Sequence, residues 1–198
     1  MSEPTAPKRV VVGISGSTGA VYGIRLLETL KTLPDVESHV IISPAAKRTL
    51  RHETDCSVKD VEALADVIYA YRDIGAAPAS GSFRTLGMIV APCSIKTAAA
   101  LAMCYTDNLI TRAGDVTLKE GRPLILAVRE TPLHVGHLRM LTQLAESGGV
   151  ILPPVPAFYH RPQTIDDLVN HTVGRLLDRI GLTAAGLVAE WRGARTRG

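Results

Sequence analysis

Short apolar runs rich in β-branched residues, at residues 10–14, 39–43, 87–91, 124–128 and 150–152, recur between stretches of helical period. This alternation constrains the fold more than any other feature. Neighbouring parallel strands need a crossover long enough to hold a helix, so strand–helix alternation predicts a parallel sheet. The runs are apolar nearly throughout, not at every second position, which is the pattern of strands covered on both faces. Helices are predicted at residues 20–33, 45–52, 58–66, 95–103, 108–120, 133–147 and 165–180. Thr164 can cap the last of these, with Asp166 and Asp167 in its first turn, and Gly148 and Gly149 can stop the one before it. The fold class is α/β, a three-layer αβα sandwich with a Rossmann-like or flavodoxin-like parallel sheet, and ligands are expected beyond the carboxyl ends of the strands. The 198 residues suit one domain. It is expected over residues 9–182, after a disordered tail at 1–8 and before a C-terminal helix or tail at 183–198.

Composition excludes several functions. The net formal charge is only +3, the basic residues are dispersed apart from Arg192, Arg195 and Arg197, and 4% of residues are aromatic, so no nucleic acid partner is expected. No apolar run approaches the ~18 residues of a membrane span. The opening MSEPTAPKR lacks the apolar stretch of a secretion signal, so no membrane span and a cytoplasmic location are expected. Cys56, Cys93 and Cys104 have no CxxC spacing, which predicts reduced thiols and no zinc site. His134 and His137 stand three apart on a predicted helix without an evident third ligand, so surface or interface histidines are expected rather than a metal pair.

The first strand runs into Gly13-Ile14-Ser15-Gly16-Ser17-Thr18-Gly19, and a helix follows. Glycines let the backbone turn sharply, and the N–H groups of a new helix can hold an anion such as a phosphate. No Gly-Lys-Ser/Thr ending is present, which excludes the nucleoside triphosphate loop. A dinucleotide site would add an acid about 20 residues on, at the end of the second strand. That strand ends in Ile42-Ser43-Pro44, which leaves a mononucleotide such as FMN; a turn needed only for packing is the alternative. Pro92-Cys93-Ser94-Ile95-Lys96-Thr97 repeats the pattern after the third long strand, where Ser94 and Thr97 either cap a helix or bind a ligand. Cys93 could gain acidity from that helix end, but no His beside it marks a nucleophile, so packing is its expected role.

Arg112 and Lys119 share a helical face two turns apart, able to grip a phosphate or to form a solvated stripe. Arg129 and Glu130 follow the strand at 124–128, at the end where such sheets bind ligands, and a cation beside a carboxylate suits anion binding with proton transfer. A buried structural ion pair is the alternative there. Phe158 and Tyr159 lie in a loop after a Pro-rich run, where an aromatic ring can line an apolar pocket or anchor the loop.

Together the stretches GISGSTGAVYG, PCSIKT, DNLITRAGDVTLKEGRPLIL, VRETPLHVGHL and PPVPAFYHRP resemble the UbiX-type flavin prenyltransferases, long described as aromatic-acid decarboxylases, over residues 9–182. The resemblance implies transfer of a dimethylallyl group from dimethylallyl monophosphate to reduced FMN without a metal, closing a fourth ring across N5 and C6. It further implies that a separate UbiD-type decarboxylase receives the product, as in ubiquinone biosynthesis, and that the chain forms a homododecamer with sites at subunit interfaces. The implied FMN site is Gly16, Ser17, Thr18, Ser43, Ser94, Ile95, Lys96, Thr97 and Arg129. The implied prenyl phosphate site is Arg112, Lys119, Glu130, Tyr159 and Arg175, and the implied catalytic residues are Glu53, Lys119 and Glu130.

In that reading Arg112, Lys119 and Arg175 stabilise the departing phosphate, Tyr159 helps to exclude water, Glu130 manages protons, and Glu53 takes the proton at C6. Two positions depart from the family. Thr18 stands where Ser or Ala is common, and Cys104 where Gly or Ser is common, which is expected to narrow local packing. The alternatives are a related flavin-dependent cysteine decarboxylase, whose Pro-x-Met-Asn-x-x-Met-Trp motif is lacking here, and a flavin-binding carrier without chemistry of its own.

Overall fold

A computed structural model describes residues 7–184, 186 and 187. Most of the expected N-terminal tail, and the basic end with Arg192, Arg195 and Arg197, lie outside the described residues. Lys8 does not belong to a tail, because the first strand, β1, spans Lys8–Ile14. It is followed by α1 (Ala20–Thr32), β2 (Val36–Ile42), α2 (Pro44–Glu53), α3 (Val58–Glu62) and β3 (Val67–Tyr69). Then come a short 3-10 turn at Ala77–Ala79, β4 (Gly87–Cys93), α4 (Ile95–Ala102) and α5 (Leu109–Lys119). The order ends with β5 (Leu124–Val128), α6 (Val135–Glu146), β6 (Gly149–Ile151) and α7 (Ile165–Asp178).

All six strands pair in parallel in the order β3-β2-β1-β4-β5-β6. The winding reverses between β1 and β4, and in such sheets the reversal opens a crevice at the carboxyl ends of those two strands. Alternate side chains of each strand go to opposite faces. Val10, Val12 and Ile14 pack with Leu27 and Leu30 of α1 and Val173 and Leu177 of α7. Val11, Met88 and Val90 pack with Leu109, Ile110 and Ala113 of α5. Both faces are thus covered, which is why the strands read as continuous apolar runs. Burying each such Leu or Ile contributes on the order of 1.5–3 kcal/mol.

The structure departs from the predicted elements where polar residues are paired over long range. β2 starts at Val36 rather than at residue 39, because Ser38 and His39 are buried with partners. Ser38 N and Oγ both donate to Asp66 Oδ2, at 2.7 and 2.8 Å, and His39 lies against the rings of Tyr69 and Phe83. The same Asp66 ends the predicted helix at 58–66 early: α3 stops at Glu62, and the chain turns into a third strand, concealed in the sequence by its three-residue length. His134 is not within α6 but caps it, its Nδ1 accepting from Gly136 N at 3.0 Å and His137 N at 3.4 Å. α7 carries the expected Thr164 cap, completed as a capping box by Asp167.

Candidate active site

The loops after β1 and β4 are tied together by one buried hydroxyl. Ser15 Oγ donates to Pro92 O at 2.9 Å and accepts from Ser94 N at 2.7 Å. Ser43 and Ser94 cap α2 and α4, accepting from Ala46 N at 3.0 Å and Thr97 N at 3.3 Å. Both caps leave the first turn of the helix beside the crevice. Gly16 is required sterically, since a Cβ there would collide with that of Ala45 on α2. The result is a cleft of about 380 Å³ lined by Ser15, Gly16, Ser43, Pro44, Ala45, Arg48, Tyr71, Ser94, Lys96 and Thr97.

The electrostatics of this cleft call for an anion. Lys96 lies in the first turn of α4 and Arg48 one turn into α2, where the helix dipole disfavours a cation. Both side chains are exposed and neither forms an ion pair among the described residues. A phosphate at the two helix starts would satisfy the helix N–H groups and both cations together. Ser17 Oγ, in the same Gly-rich loop, is buried without a hydrogen-bond partner among the described residues, as suits a hydroxyl that a ligand completes.

The anion expected at the start of α1 is instead supplied by the chain itself. Gly19 holds φ at +100°, which glycine adopts without strain, and α1 has no side-chain cap at that residue. Glu53 Oε2 accepts from Gly19 N at 2.8 Å and Ala20 N at 2.9 Å. Burial pulls the Glu53 carboxyl upward, but hydrogen bonds from the Thr18 hydroxyl, Ala20 N and Gly19 N, with the charge of Arg129, outweigh it and hold it below the usual carboxylate range. Glu53 thus occupies the start of α1, while the starts of α2 and α4 face the cleft. Tyr22 stands on the same side, its phenol pushed up by burial against the pull of Arg129.

Residues 1–177 match the flavoprotein family. The chain is 58% identical to the flavin prenyltransferase UbiX of Escherichia coli K12 over 188 residues, 94% of this chain and all of that one. It is 52% identical to the UbiX of Thauera aromatica over 189 residues, 96% of each chain. The chain belongs to the UbiX-type flavin prenyltransferases. Two solved structures agree in fold. A dodecameric FMN-dependent UbiX-like decarboxylase from Escherichia coli O157:H7 superposes with a TM-score of 0.90 at 47% identity, covering 93% of this chain and 100% of the other. AnUbiX in complex with FMN and dimethylallyl pyrophosphate superposes with a TM-score of 0.92 at 46% identity, covering 95% of this chain and 99% of that one.

As a flavin prenyltransferase the chain binds FMN, and among the described residues no group of three or more His, Cys, Asp or Glu is arranged to hold a metal ion. Gly16, Ser43, Ser94, Lys96 and Thr97 line the cleft, and Ile95 lies between two of them at the start of α4. Ser15, Arg48 and Tyr71 line it too; Ser15 belongs to the Gly-rich motif but none of the three was among the implied FMN residues. Arg48 could have been found, being four residues beyond the Pro44 that opens α2. Tyr71 could not, because it follows the concealed strand β3.

Arg48→Ala is expected to weaken FMN binding about tenfold, the loss of one charge-assisted hydrogen bond, while leaving riboflavin binding unchanged. Flavin fluorescence titration with both ligands checks this, and equal losses for the two would remove Arg48 from the phosphate.

Two of the residues expected to hold the prenyl phosphate, Lys119 and Glu130, lie at opposite ends of β5 in one protomer. Lys119 ends α5, before β5 begins at Leu124, whereas Arg129 and Glu130 follow β5. A five-residue strand separates the two groups by roughly 15 Å along the sheet. Lys119 Nζ donates to Glu120 Oε1 at 2.7 Å, and Arg112 Nη1 to Asp115 Oδ2 at 3.1 Å. Glu130 Oε1 accepts from Thr131 N at 3.0 Å. Tyr159 and Arg175 lie by α7: Tyr159 Oη is 2.8 Å from His171 Nε2, and Arg175 Nη1 is 3.7 Å from Asp178 Oδ2.

The buried cysteine beside the cleft is not set up as a nucleophile. Cys93 is fully buried and its thiol is pushed up to about 12 by that burial, against a hydrogen bond from Ala98 N, so the thiolate is not formed near neutral pH. Cys104 is exposed and does not narrow the packing. It takes φ +53°, a left-handed conformation that the family's glycine would adopt without strain.

Proposed function

We propose that FMN lies in the cleft with its phosphate at the starts of α2 and α4, and that the prenyl phosphate site is completed by other copies of the chain. The observation that carries the first part is the pair of cations, Arg48 and Lys96, set without carboxylate partners among the described residues, beside two serine-capped helix starts. The second part rests on the placement of Lys119 and Glu130 at opposite ends of β5. A homododecamer supplies the missing halves, as the dodecameric relative suggests, and Met103, Tyr105, Val135 and Leu138 offer exposed apolar surface for it.

In the assembled site reduced FMN supplies the nucleophilic ring atoms N5 and C6. Arg112, Lys119 and Arg175 surround the phosphate of dimethylallyl monophosphate and stabilise the negative charge that grows on it as the allylic C–O bond breaks. They supply the charge that a divalent cation supplies in metal-dependent prenyl transfer. Tyr159 closes the pocket to water. Glu130 exchanges a proton at the phosphate. Glu53 remains the candidate base for C6, but its three hydrogen-bond donors make it a weak one and give it a second role, holding the Gly-rich loop against α2.

The product is consumed by a UbiD-type decarboxylase. The cytoplasm is the compartment proposed, consistent with three free thiols. No helix among the described residues is long and apolar enough to cross a membrane.

Anaerobic incubation of the chain with reduced FMN and dimethylallyl monophosphate, in the presence of a strong chelator, is expected to yield flavin heavier by one five-carbon prenyl unit. An extract of that mixture is expected to activate a cofactor-free UbiD-type decarboxylase. Unmodified flavin, or carbon dioxide released from an aromatic acid by this chain alone, would overturn the reading in favour of a carrier or a decarboxylase.

A further inference from the structure

Tyr159 is more than half exposed, at 53%, yet it sits within an ordered set of three rings. Its ring meets His171 edge-on, with centroids 5.6 Å apart, and meets His160 edge-on at 5.5 Å. His160 lies flat on His171, with centroids 4.7 Å apart and planes within 8°. Both ring nitrogens of His160 are buried without a hydrogen-bond partner among the described residues, so this ring acts as packing behind His171. His171 is carried by α7, which is anchored to α1 by Arg25 through its bonds to Asn170 and Asp166. The imidazole is therefore fixed to the domain core, while Tyr159 belongs to the loop that precedes α7.

We propose that His171 is a positioning residue for prenyl transfer, fixing the Tyr159 ring and the direction of its hydroxyl proton through the 2.8 Å bond between Nε2 and Oη. The inference rests on the reading of Tyr159 as part of the prenyl phosphate pocket. When His171 is neutral with its proton on Nδ1, Nε2 accepts the phenolic proton, and Tyr159 turns oxygen lone pairs and a ring face toward the pocket. When His171 is protonated, Nε2 donates and the phenolic proton is released to point elsewhere. Burial, then the charges of His160 and Arg175, push the His171 pKa down, while Asp178 opposes them. Asp167 and Arg161 line a separate cleft of about 290 Å³ together with His160 and His171, and Asp166 and Arg25 pair beside it on the α1 side. Neutral His171 is thus the form present at physiological pH, and the bond reverses only on acidification.

Two variants of the full chain separate positioning from packing. His171→Phe keeps a flat ring for His160 to stack on but cannot accept, whereas the side-chain oxygen of His171→Gln can. His171→Phe is expected to raise KM for dimethylallyl monophosphate about three- to tenfold, the loss of one hydrogen bond, with FMN affinity unchanged. His171→Gln is expected to restore KM and to lack an acid limb that wild type shows in kcat/KM. In the ligand-free chain, the ¹⁵N resonance of His171 Nε2 is expected to move in Tyr159→Phe. A His171→Phe enzyme matching wild type in KM and pH profile, equal losses in the Phe and Gln variants, or an unmoved resonance would each overturn the inference. Failure of wild type to transfer the prenyl group would overturn the reading of the pocket itself, and this inference with it.

Discussion

Replacing Lys119 by alanine is expected to slow prenyl transfer roughly a hundredfold, with FMN binding unchanged. Removing one preorganised charge-stabilising donor costs about 3 kcal/mol of transition-state stabilisation. Lys119 ends α5 at the opposite end of the sheet from the FMN cleft, so the flavin does not depend on it within its own protomer. Its ion pair with Glu120 is open to solvent and screened by it, so the variant is expected to remain folded. Arg112→Ala is expected to act in the same direction. Single-turnover rates with saturating reduced FMN decide the matter. Rates within a few-fold of wild type would make the two residues the solvated stripe that their helical spacing also allows.

The second large effect concerns mixed assemblies. Lys119→Ala and Glu130→Gln chains are each expected to be nearly inactive, and oligomers assembled from equal amounts of both are expected to regain about a quarter of wild-type activity. A site drawing Lys119 from one copy and Glu130 from another finds both intact in about one arrangement in four under random mixing. Co-expression with two affinity tags, followed by purification on both, gives the mixed species. If these are as inactive as their parents, the two groups belong to one protomer, and a rearrangement of α5 relative to β5 must bring them together.

Much of this molecule could be read locally. Thr164 and Ser94 announced the helices they cap, because a cap is a bond between neighbours in sequence. The Gly-rich turn was legible as a turn, because a strand, a tight turn and a helix follow one another there, and Gly16 also clears Ala45 on α2. The third strand was hidden for the opposite reason. Three residues carry too little periodicity, and what ends α3 is the bond from Asp66 to Ser38, 28 residues away. His134 misled in the same way: its spacing to His137 suggests a shared helical face, whereas its ring turns back to accept from the backbone.

The sequence alone determined the strand–helix alternation, the doubly covered parallel sheet and the motifs that place this chain among flavin prenyltransferases, since each is encoded in short-range pattern and residue type. The tertiary structure decided which charges meet. It set Glu53 on the start of α1, across 34 positions. It added Arg48 to the cleft from α2 and Tyr71 from the loop after β3. It also separated Lys119 from Glu130 by the length of β5, although only ten positions divide them in the chain. Charge interactions fall off with distance in space, and the distance between two side chains here depends on which ends of packed elements they occupy, a quantity that sequence separation does not contain.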